Sequence, residues 1–197
     1  ESIRSLESEA VTTGSVTPPS EMEVTDVLRA ALSLKPFAGQ ISTLIHAFGI
    51  LTTLPHILEK DERIEYLSLG AGNSGKAFDV KTDRRAAEFK FIAWKGGAES
   101  VRQNGVFHDF YNLVENAPKH LSRHLYLIDK SHALRFLQGN RAMDSILSKN
   151  VSRKAEFRQK YPDFTVISQY YSHHLGTVKI EDLRDILPQT FGQGNGA

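Results

Sequence analysis

The sequence predicts an α/β fold in which helices flank a mixed central sheet. First, two segments of alternating apolar and polar residues, AFDVKT and AAEFKFIAW, are separated by a short charged turn and predict a β-hairpin. Second, an amphipathic helical pattern follows the hairpin, and a short apolar strand follows that helix. Third, the 197 residues, of which 40% are hydrophobic and 24% charged, suit one globular domain of ordinary size.

Composition divides the chain into one domain and two flexible ends. Residues 1–22 are rich in Ser, Thr, Glu and Pro and show no sustained apolar periodicity, so we expect a flexible tail there. Residues 191–197 are rich in glycine and are expected to be flexible as well. The domain is therefore predicted to span residues 23–190.

Two helices are predicted at the start of the domain, in MEVTDVLRAALSL and ISTLIHAFGILTTL, because Pro36 and Gly39 interrupt the helical pattern between them. The segment HILEKDERIEY follows and contributes three acidic residues, Glu59, Glu62 and Glu65. A strand is predicted at residues 64–69, and a glycine-rich loop leads from this strand to the hairpin.

Helices and short strands alternate after the hairpin. The next helix is predicted to end before Pro118, and its apolar stripe consists of Val106, Phe110, Leu113 and Val114. HLYLID (124–129) predicts a short buried strand, and SHALRFLQGNRAMDSILSK and SRKAEFRQKY predict helices. FTVISQYY (164–171) predicts a late strand, and IEDLRDIL predicts the last helix.

Charge, cysteine content and hydropathy narrow the possible functions. The 24 Lys+Arg and 23 Asp+Glu give a net charge of +1, so nucleic-acid contacts would have to come from local patches such as Arg84, Arg85 and Lys95. The absence of cysteine excludes a disulfide framework, a thiolate metal site and a Cys nucleophile. No apolar run approaches the roughly 20 residues that span a bilayer, so we expect no membrane partner and a cytoplasmic location.

The hairpin brings two acidic residues opposite each other. If Asp83 and Arg84 form a two-residue turn, residue 80 faces residue 87, and Asp79 faces Glu88 with Cβ atoms roughly 5 Å apart. Side chains alternate between the faces of a strand, so Lys81, Lys90 and both carboxylates share one face. The opposite face is predicted to be apolar and to contain Phe78, Val80, Ala87, Phe89 and Phe91.

This arrangement favours a site for a hard divalent cation. Two carboxylates held close together repel each other and raise each other's pKa unless a cation lies between them. Mg²⁺ prefers carboxylate oxygens and keeps several water ligands, one of which can attack a phosphorus atom. Lys90 follows Glu88 by two residues and is placed to hold the attacking water or to stabilise the phosphoryl oxygens.

The string GKAFDVKTDRRAAEFKFIAW resembles the catalytic hairpin of the PD-(D/E)XK phosphodiesterase superfamily. In this resemblance Asp79 is the aspartate of the motif, Glu88 the acidic residue of E-x-K, and Lys90 its lysine. The resemblance covers residues 55–130, where the predicted element order matches the restriction endonuclease-like αβββαβ core. It implies an endonuclease that depends on Mg²⁺ or Mn²⁺ and acts on DNA, with Asp79 and Glu88 as metal ligands. Cutting both strands would suit a homodimer.

The resemblance also suggests further site residues. Gln103 with Phe107 is similar to the Q-x-x-x-Y element that some members carry in the helix after the lysine, although Phe107 replaces the tyrosine. Gln103 is therefore a candidate catalytic residue. Many members use an acidic residue of the first core helix to assist the metal, and here Glu59 is the candidate, with Glu62 and Glu65 as alternatives.

Two other functions remain open from the sequence. A domain of this fold can bind nucleic acid or protein without catalysis. Residues 70–76, GAGNSGK, also fit a phosphate-binding glycine loop. That interpretation is less favoured, because Ala77 stands where a Walker loop needs Ser or Thr and because AFDVKT favours a strand where a helix should follow.

Overall fold

A five-stranded mixed sheet flanked by helices forms the centre of the fold, which confirms the α/β prediction. The computed structural model describes residues 21–70, 76–92, 94 and 99–192. The chain divides into two compact units, Glu1–Ser42 and Thr43–Ala197. Residues 1–20 of the predicted N-terminal tail, most of the glycine loop and the end of the predicted C-terminal tail lie outside the described residues.

The described residues form eight helices and five strands. The helices are α1 (Glu21–Ile57), α2 (Glu99–Asn116), α3 (Lys130–Leu137), α4 (Met143–Ile146), α5 (Val151–Lys160), α6 (Ile167–His173), α7 (Leu183–Ile186) and α8 (Pro188–Phe191). The strands are β1 (Ile64–Leu67), β2 (Val80–Thr82), β3 (Arg85–Lys90), β4 (Ser122–Leu127) and β5 (Lys179–Asp182).

The strands lie in the sheet in their sequence order, from β1 to β5. The first three are antiparallel neighbours, whereas β3 pairs with β4 and β4 with β5 in parallel. Parallel neighbours cannot be joined by a tight turn, and α2 supplies the crossover between β3 and β4. As a result β3 is paired on both edges and is held rigidly in the sheet.

The predicted register of the hairpin is confirmed. Val80 pairs with Ala87 and Lys81 with Ala86, so the connection consists of Asp83 and Arg84. The hydroxyl of Thr82 stabilises this turn. Its Oγ1 accepts hydrogen bonds from the backbone N–H groups of Arg84 at 3.0 Å and Arg85 at 2.8 Å. Local hydrogen bonding thus fixes a register that the turn sequence alone left uncertain.

Each face of the sheet has its own apolar cluster. On one face Ala86, Leu125 and Leu127 pack with the buried residues of α2, including Phe110 and Leu113, which confirms the predicted stripe. On the other face a second cluster contains Ile50, Leu54, Val80, Ala87, Phe89, Tyr126 and Leu183. The sheet is therefore covered on both faces.

The predicted position of Phe78 on the face of Val80 is wrong. Phe78 packs in the α2-side cluster, whereas Val80 and Phe89 pack in the other one. Residues 77–79 are bends and β2 begins only at Val80. The alternation of a strand therefore does not extend back to Phe78.

The helical prediction before the sheet is also corrected. Residues 21–57 form one helix, not two, and this helix continues through Pro36. A proline removes one backbone hydrogen bond from a helix, and here the bonds on either side suffice to continue it. The helix ends at Ile57, so Glu59 and Glu62 lie in the following loop and Glu65 in β1. None of the three acidic candidates is helical.

The structure corrects the last predicted strand and shortens the last predicted helix. The prediction of a strand at residues 164–171 is wrong, because most of it forms α6. The Gln169 side chain accepts hydrogen bonds from the backbone N–H groups of Thr165 and Val166 at 2.7 and 3.0 Å and thereby caps this helix. The fifth strand lies instead at Lys179–Asp182 and takes up the first three residues of the segment that was predicted as the last helix, whereas α7 at Leu183–Ile186 confirms a helix in the rest of it.

The chemistry of Asp182 explains why that last helix starts late. Its carboxylate accepts a hydrogen bond from the backbone N–H of Arg184 at 3.0 Å, as an N-cap residue does. The residues before this cap are thereby free to pair with β4. Within the described ranges, no helix combines the length and the hydropathy needed to cross a membrane.

Candidate active site

Asp79 lies directly before β2, and both of its oxygens are held. Its Oδ2 accepts a hydrogen bond from the backbone N–H of Phe89 at 2.9 Å, and its Oδ1 lies 3.2 Å from Nε2 of His46. The first contact crosses the hairpin to the residue next to Glu88. The structure therefore brings Asp79 to the part of β3 that the sequence predicted.

Glu88 is a buried carboxyl group on β3. It is 8% exposed, and its Oε1 accepts a hydrogen bond from Nδ2 of Asn112 at 3.0 Å. Burial raises the pKa of Glu88 to about 9, and the negative charges of Asp109 and Asp79 add to this rise. Without a compensating cation, this carboxyl group therefore holds a proton at neutral pH.

Asn112 holds Glu88 from helix α2. Its amide nitrogen also donates to the backbone carbonyl of Ala77, and its Oδ1 accepts a hydrogen bond from Asn116 at 2.7 Å. One buried amide thus links Glu88 to the segment that leads into Asp79. The two acidic residues are positioned by a shared framework.

Lys90 forms an ion pair with Asp109 of α2, with 2.6 Å between Nζ and Oδ2. Burial favours the neutral amine, but Asp109, Glu88 and Asp79 outweigh this effect and raise the pKa of Lys90. The lysine therefore remains charged. About a third of its side chain is exposed, against 8% for Asp109, so the cation faces the solvent side of the pair.

Carboxyl groups outnumber the ammonium group in this cluster. Asp79, Glu88 and Asp109 contribute three carboxyl groups around Lys90. His46 and His108 contact Asp79 and Asp109 at 3.2 and 3.5 Å. Carboxylate oxygens are the donors that hard divalent cations prefer. By donor type, Asp79 and Glu88 would suit Mg²⁺ or Mn²⁺.

Glu59 lies elsewhere. Its Oε2 accepts a hydrogen bond from Arg84 at 3.0 Å, at the turn of the hairpin and away from Lys90. Across residues 21–70, 76–92, 94 and 99–192, no group of three or more His, Cys, Asp or Glu side chains is placed to hold a metal ion. The structure does not bring Glu59 to the two carboxylates, and its predicted role as a third ligand has no geometric support.

The alternatives to Glu59 are also engaged. Glu62 binds the guanidinium group of Arg85 at 2.6 and 2.7 Å, and Glu65 binds Lys81 at 2.5 Å. Arg85 is 4% exposed, so it cannot belong to the basic surface patch predicted at the hairpin ends. Lys95 of that patch lies outside the described residues.

Gln103 lies on α2, and its side chain is bound by Arg141. Its Oε1 accepts a hydrogen bond from Nη1 of Arg141 at 2.5 Å, and it lines a cavity together with Trp94 and Arg135. The cavity that contains Lys90 is lined on this helix by Arg102 and Gly105. Phe107 is fully buried in the core. The catalytic role of Gln103 stays a prediction.

Three residues of the cluster were missed by the sequence reasoning. Asp109 and Asn112 are spaced by three residues and thus share one face of α2, where they interrupt an otherwise apolar buried surface. Two polar residues at this spacing within an apolar stripe were the available signal. His46 carries no such signal, because it lies 33 residues from Asp79 in a segment rich in apolar residues.

No family model matches the chain, and neither a curated protein nor a solved structure matches it.

Proposed function

We propose that this chain is a metal-dependent nuclease of the PD-(D/E)XK type that hydrolyses phosphodiester bonds in DNA. One observation carries the proposal: three carboxyl groups lie around one lysine at the end of a hairpin, and burial together with Asp109 and Asp79 raises the pKa of Glu88 to about 9. Capture of a cation would relieve the repulsion that raises this pKa, and groups with strongly displaced pKa values are concentrated at functional sites.

The order of the elements supports the proposal. An antiparallel β1–β2–β3 unit is followed by α2 and by β4, which pairs in parallel with β3. With the preceding helix, this order corresponds to the αβββαβ arrangement of a restriction endonuclease-like core. Asp79 lies directly before β2, and Glu88 and Lys90 lie on β3.

Each residue has a distinct task in the proposed reaction. Asp79 and Glu88 would hold Mg²⁺ or Mn²⁺, which would acidify an attacking water and offset charge on the phosphoryl oxygens. Lys90 orients that water or stabilises the developing negative charge through its partly exposed ammonium group. Asp109 positions Lys90, while Asn112 and His46 orient the two carboxylates.

The proposal is tested by incubating the purified chain with supercoiled and linear DNA, with and without Mg²⁺ or Mn²⁺. We expect cleavage that requires the ion and that is abolished in Asp79→Ala, Glu88→Ala and Lys90→Ala. Lys81→Met is the matched control, because Lys81 belongs to the same hairpin but binds Glu65. Calorimetry should show Mn²⁺ binding that Asp79→Ala removes.

Cleavage that persists in all three variants would reject the assignment. DNA binding without cleavage and without metal dependence would indicate a binding module instead. Single-stranded DNA and RNA are included as substrates, so that the experiment also defines the nucleic acid on which the protein acts.

A further inference from the structure

A small cleft of about 220 Å³ lies beside Lys90, where helix α2 meets the ends of strands β3 and β4. Its walls include Lys90, Ile92, Trp94, Val101, Gly105 and Leu127. Lys90 and Leu127 pair with each other at the carboxyl ends of the parallel strands β3 and β4. Ligands of α/β proteins commonly bind at this end of parallel strands. We call this cavity the Lys90 cleft.

The walls of the Lys90 cleft are mainly apolar. Ile92 and Val101 are 63 and 65% exposed, so the cleft leaves apolar surface open to a ligand. Trp94 is buried and stacks on His132, with 5.7 Å between the ring centroids. Pockets for drug-sized ligands are larger, at about 300–1,000 Å³. The Lys90 cleft therefore suits one apolar ring system rather than a larger molecule.

The charged groups of the cleft favour an anion beside that ring. Lys90 and Arg102 both line the cleft, and the ammonium group of Lys90 is partly exposed despite its ion pair with Asp109. The carboxyl group that lines the cleft, Asp129, is bound by Arg184 at 3.0 Å, which offsets its charge. A nucleotide joins an aromatic base to a phosphate group and matches both features.

Gly105 keeps the cleft open. It lies in the interior of α2, where an alanine would stabilise the helix. Among the described residues, the atom that a Cβ at this position would meet within 4 Å is Cε of Lys90, at 3.9 Å, which is an ordinary contact. Packing within the protein therefore does not require glycine here. A larger side chain would instead occupy the space beside Lys90.

We propose that the Lys90 cleft binds one unstacked base of the substrate, so that the protein acts on single-stranded DNA or on unpaired strand ends. This inference rests on the proposed function for the identity of the ligand. In a duplex each base is stacked and paired, and it enters a protein cleft only after both interactions have been broken. A single strand presents its bases without this cost, and apolar and aromatic side chains bind them with little sequence preference.

A second cavity provides positive charge for the rest of the strand. It has a volume of about 430 Å³ and shares Trp94 with the Lys90 cleft. Arg135 and Arg141 line it together with one carboxyl group, that of Glu99. Arginine side chains commonly contact the phosphates of nucleic acids. A strand whose base occupies the Lys90 cleft therefore finds positive charge for a phosphate in the adjoining cavity.

The first test measures nucleotide binding in the presence of Mg²⁺. The probes are 2′-deoxyadenosine 5′-phosphate and 2-deoxyribose 5-phosphate, which differ by the base and contain no phosphodiester bond to cleave. Trp94 is the one tryptophan of the chain, so its fluorescence reports on the cleft directly. We expect the nucleotide to quench this fluorescence and to bind at least about tenfold more tightly than the sugar phosphate.

Two variants locate the base. Gly105→Leu should fill the cleft and remove the preference for the nucleotide, without lowering the melting temperature, because leucine favours a helix. Val101→Ser, at an exposed position, should weaken nucleotide binding by about threefold through loss of apolar contact. Val151→Ser is the matched control, since Val151 is a helical valine that is 81% exposed and lies outside the cleft.

The second test compares cleavage of one oligonucleotide as a single strand and in a duplex with its complement. We expect the single strand to be cleaved at least about tenfold faster, because its bases need not be unpaired. Equal cleavage of the two forms would overturn the inference and leave the nuclease intact. Equal affinity for the two probes, or a preference that persists in both cleft variants, would also overturn it. A preference that Gly105→Leu removes, in a chain that cleaves neither form, would support the base cleft and reject the nuclease.

Discussion

The two ends of strand β3 differ in how neighbouring residues compensate a buried ionisable side chain. At its start, Arg85 is 4% exposed and is neutralised by Glu62, which receives two hydrogen bonds from the guanidinium group. Although burial opposes it, this pairing lowers the pKa of Glu62 to about 2. Three residues further along, Glu88 is 8% exposed, and burial together with Asp109 and Asp79 raises its pKa to about 9.

This difference distinguishes a structural ion pair, Arg85 with Glu62, from a candidate functional cluster around Glu88. Both sites are buried on one rigid strand, so neither solvent exposure nor flexibility explains the difference. What differs is the arrangement of charge: Arg85 is bound directly by Glu62, with Glu59 3.9 Å away, whereas carboxyl groups outnumber the ammonium group around Glu88. Groups whose pKa values are strongly displaced by burial and by like charge are concentrated at functional sites.

The largest expected effect concerns activity at the Glu88 end. Glu88→Gln should lower metal-dependent DNA cleavage by about 1,000-fold, because it removes a metal-binding charge while keeping the shape of the side chain. Glu62→Gln should leave the turnover of the folded protein within about twofold, as its effect belongs to stability. Cleavage rates at saturating Mg²⁺, normalised to the folded fraction, provide the measurement. Equal losses of cleavage rate in the two variants would show that the two ends of β3 do not differ in their role in activity.

The next effect concerns stability at the Arg85 end. Glu62→Gln should lower the free energy of unfolding by about 3 kcal/mol, because it leaves a buried guanidinium group with only the exposed Glu59, 3.9 Å away, as a counterion. The difference should be fully present above the unfolded pKa of about 4.5 and should disappear as pH falls towards 2, where wild-type Glu62 also takes up a proton. Urea unfolding across this pH range measures it.

The control for this change is Glu59→Gln. Glu59 is 65% exposed, pairs with Arg84 at 3.0 Å on the surface, and lies 3.9 Å from Arg85 without a hydrogen bond to it. We expect a loss below about 1 kcal/mol, as is usual for exposed ion pairs. A loss as large as that of Glu62→Gln would show that burial of the pair is not what stabilises this end of β3.

A smaller effect tests the supporting contact of Asp79. His46→Ala should weaken Mn²⁺ binding and cleavage by about 10- to 100-fold, because residues that orient a ligand typically have effects of this size. His56→Ala is the matched control, since His56 lies on the same helix and is exposed. Calorimetric Mn²⁺ titration distinguishes the two. Unchanged affinity in His46→Ala would show that Asp79 is oriented by the Phe89 amide alone.

The last expected effect is a gain in stability at high pH. In metal-free protein the folded pKa of Glu88 is raised above its unfolded value of 4.5, so stability should fall as pH rises from about 4.5 to about 9. Glu88→Gln removes this loss and should be more stable than the wild type at pH 8, whereas the two proteins should have similar stability below pH 4.5. Thermal unfolding in a chelator measures the difference, with Glu65→Gln as control. A destabilised Glu88→Gln would contradict the charge imbalance.

Local rules predicted much of this region. The two-residue turn and the alternation of β2 and β3 placed Asp79 beside Glu88, and the helical stripe located α2. Where the chain leaves regular strand geometry the rules failed, as at Phe78. The segment 164–171 failed for another reason, because a capping side chain, Gln169, outweighed the strand propensity of its β-branched and aromatic residues.

The site was predicted only in part, because tertiary contacts complete it. Asp79, Glu88 and Lys90 follow from one hairpin, whose geometry is set by neighbouring residues. Asp109 comes from the crossover helix and His46 from α1, and their distances from the hairpin along the chain hide them from any local pattern. Glu59 shows the converse, since an acidic residue at a suitable place in the sequence pairs with Arg84 instead.

The hydrogen bond between Asp79 and the Phe89 amide gives the protein a built-in spectroscopic reporter. The carboxylate that is proposed to hold the cation also protects this one backbone proton. Any redistribution of electron density in the carboxylate on cation capture should therefore alter the chemical shift and the hydrogen-exchange rate of a single, assignable amide. Occupancy of the centre can thus be followed by NMR without substrate and without turnover.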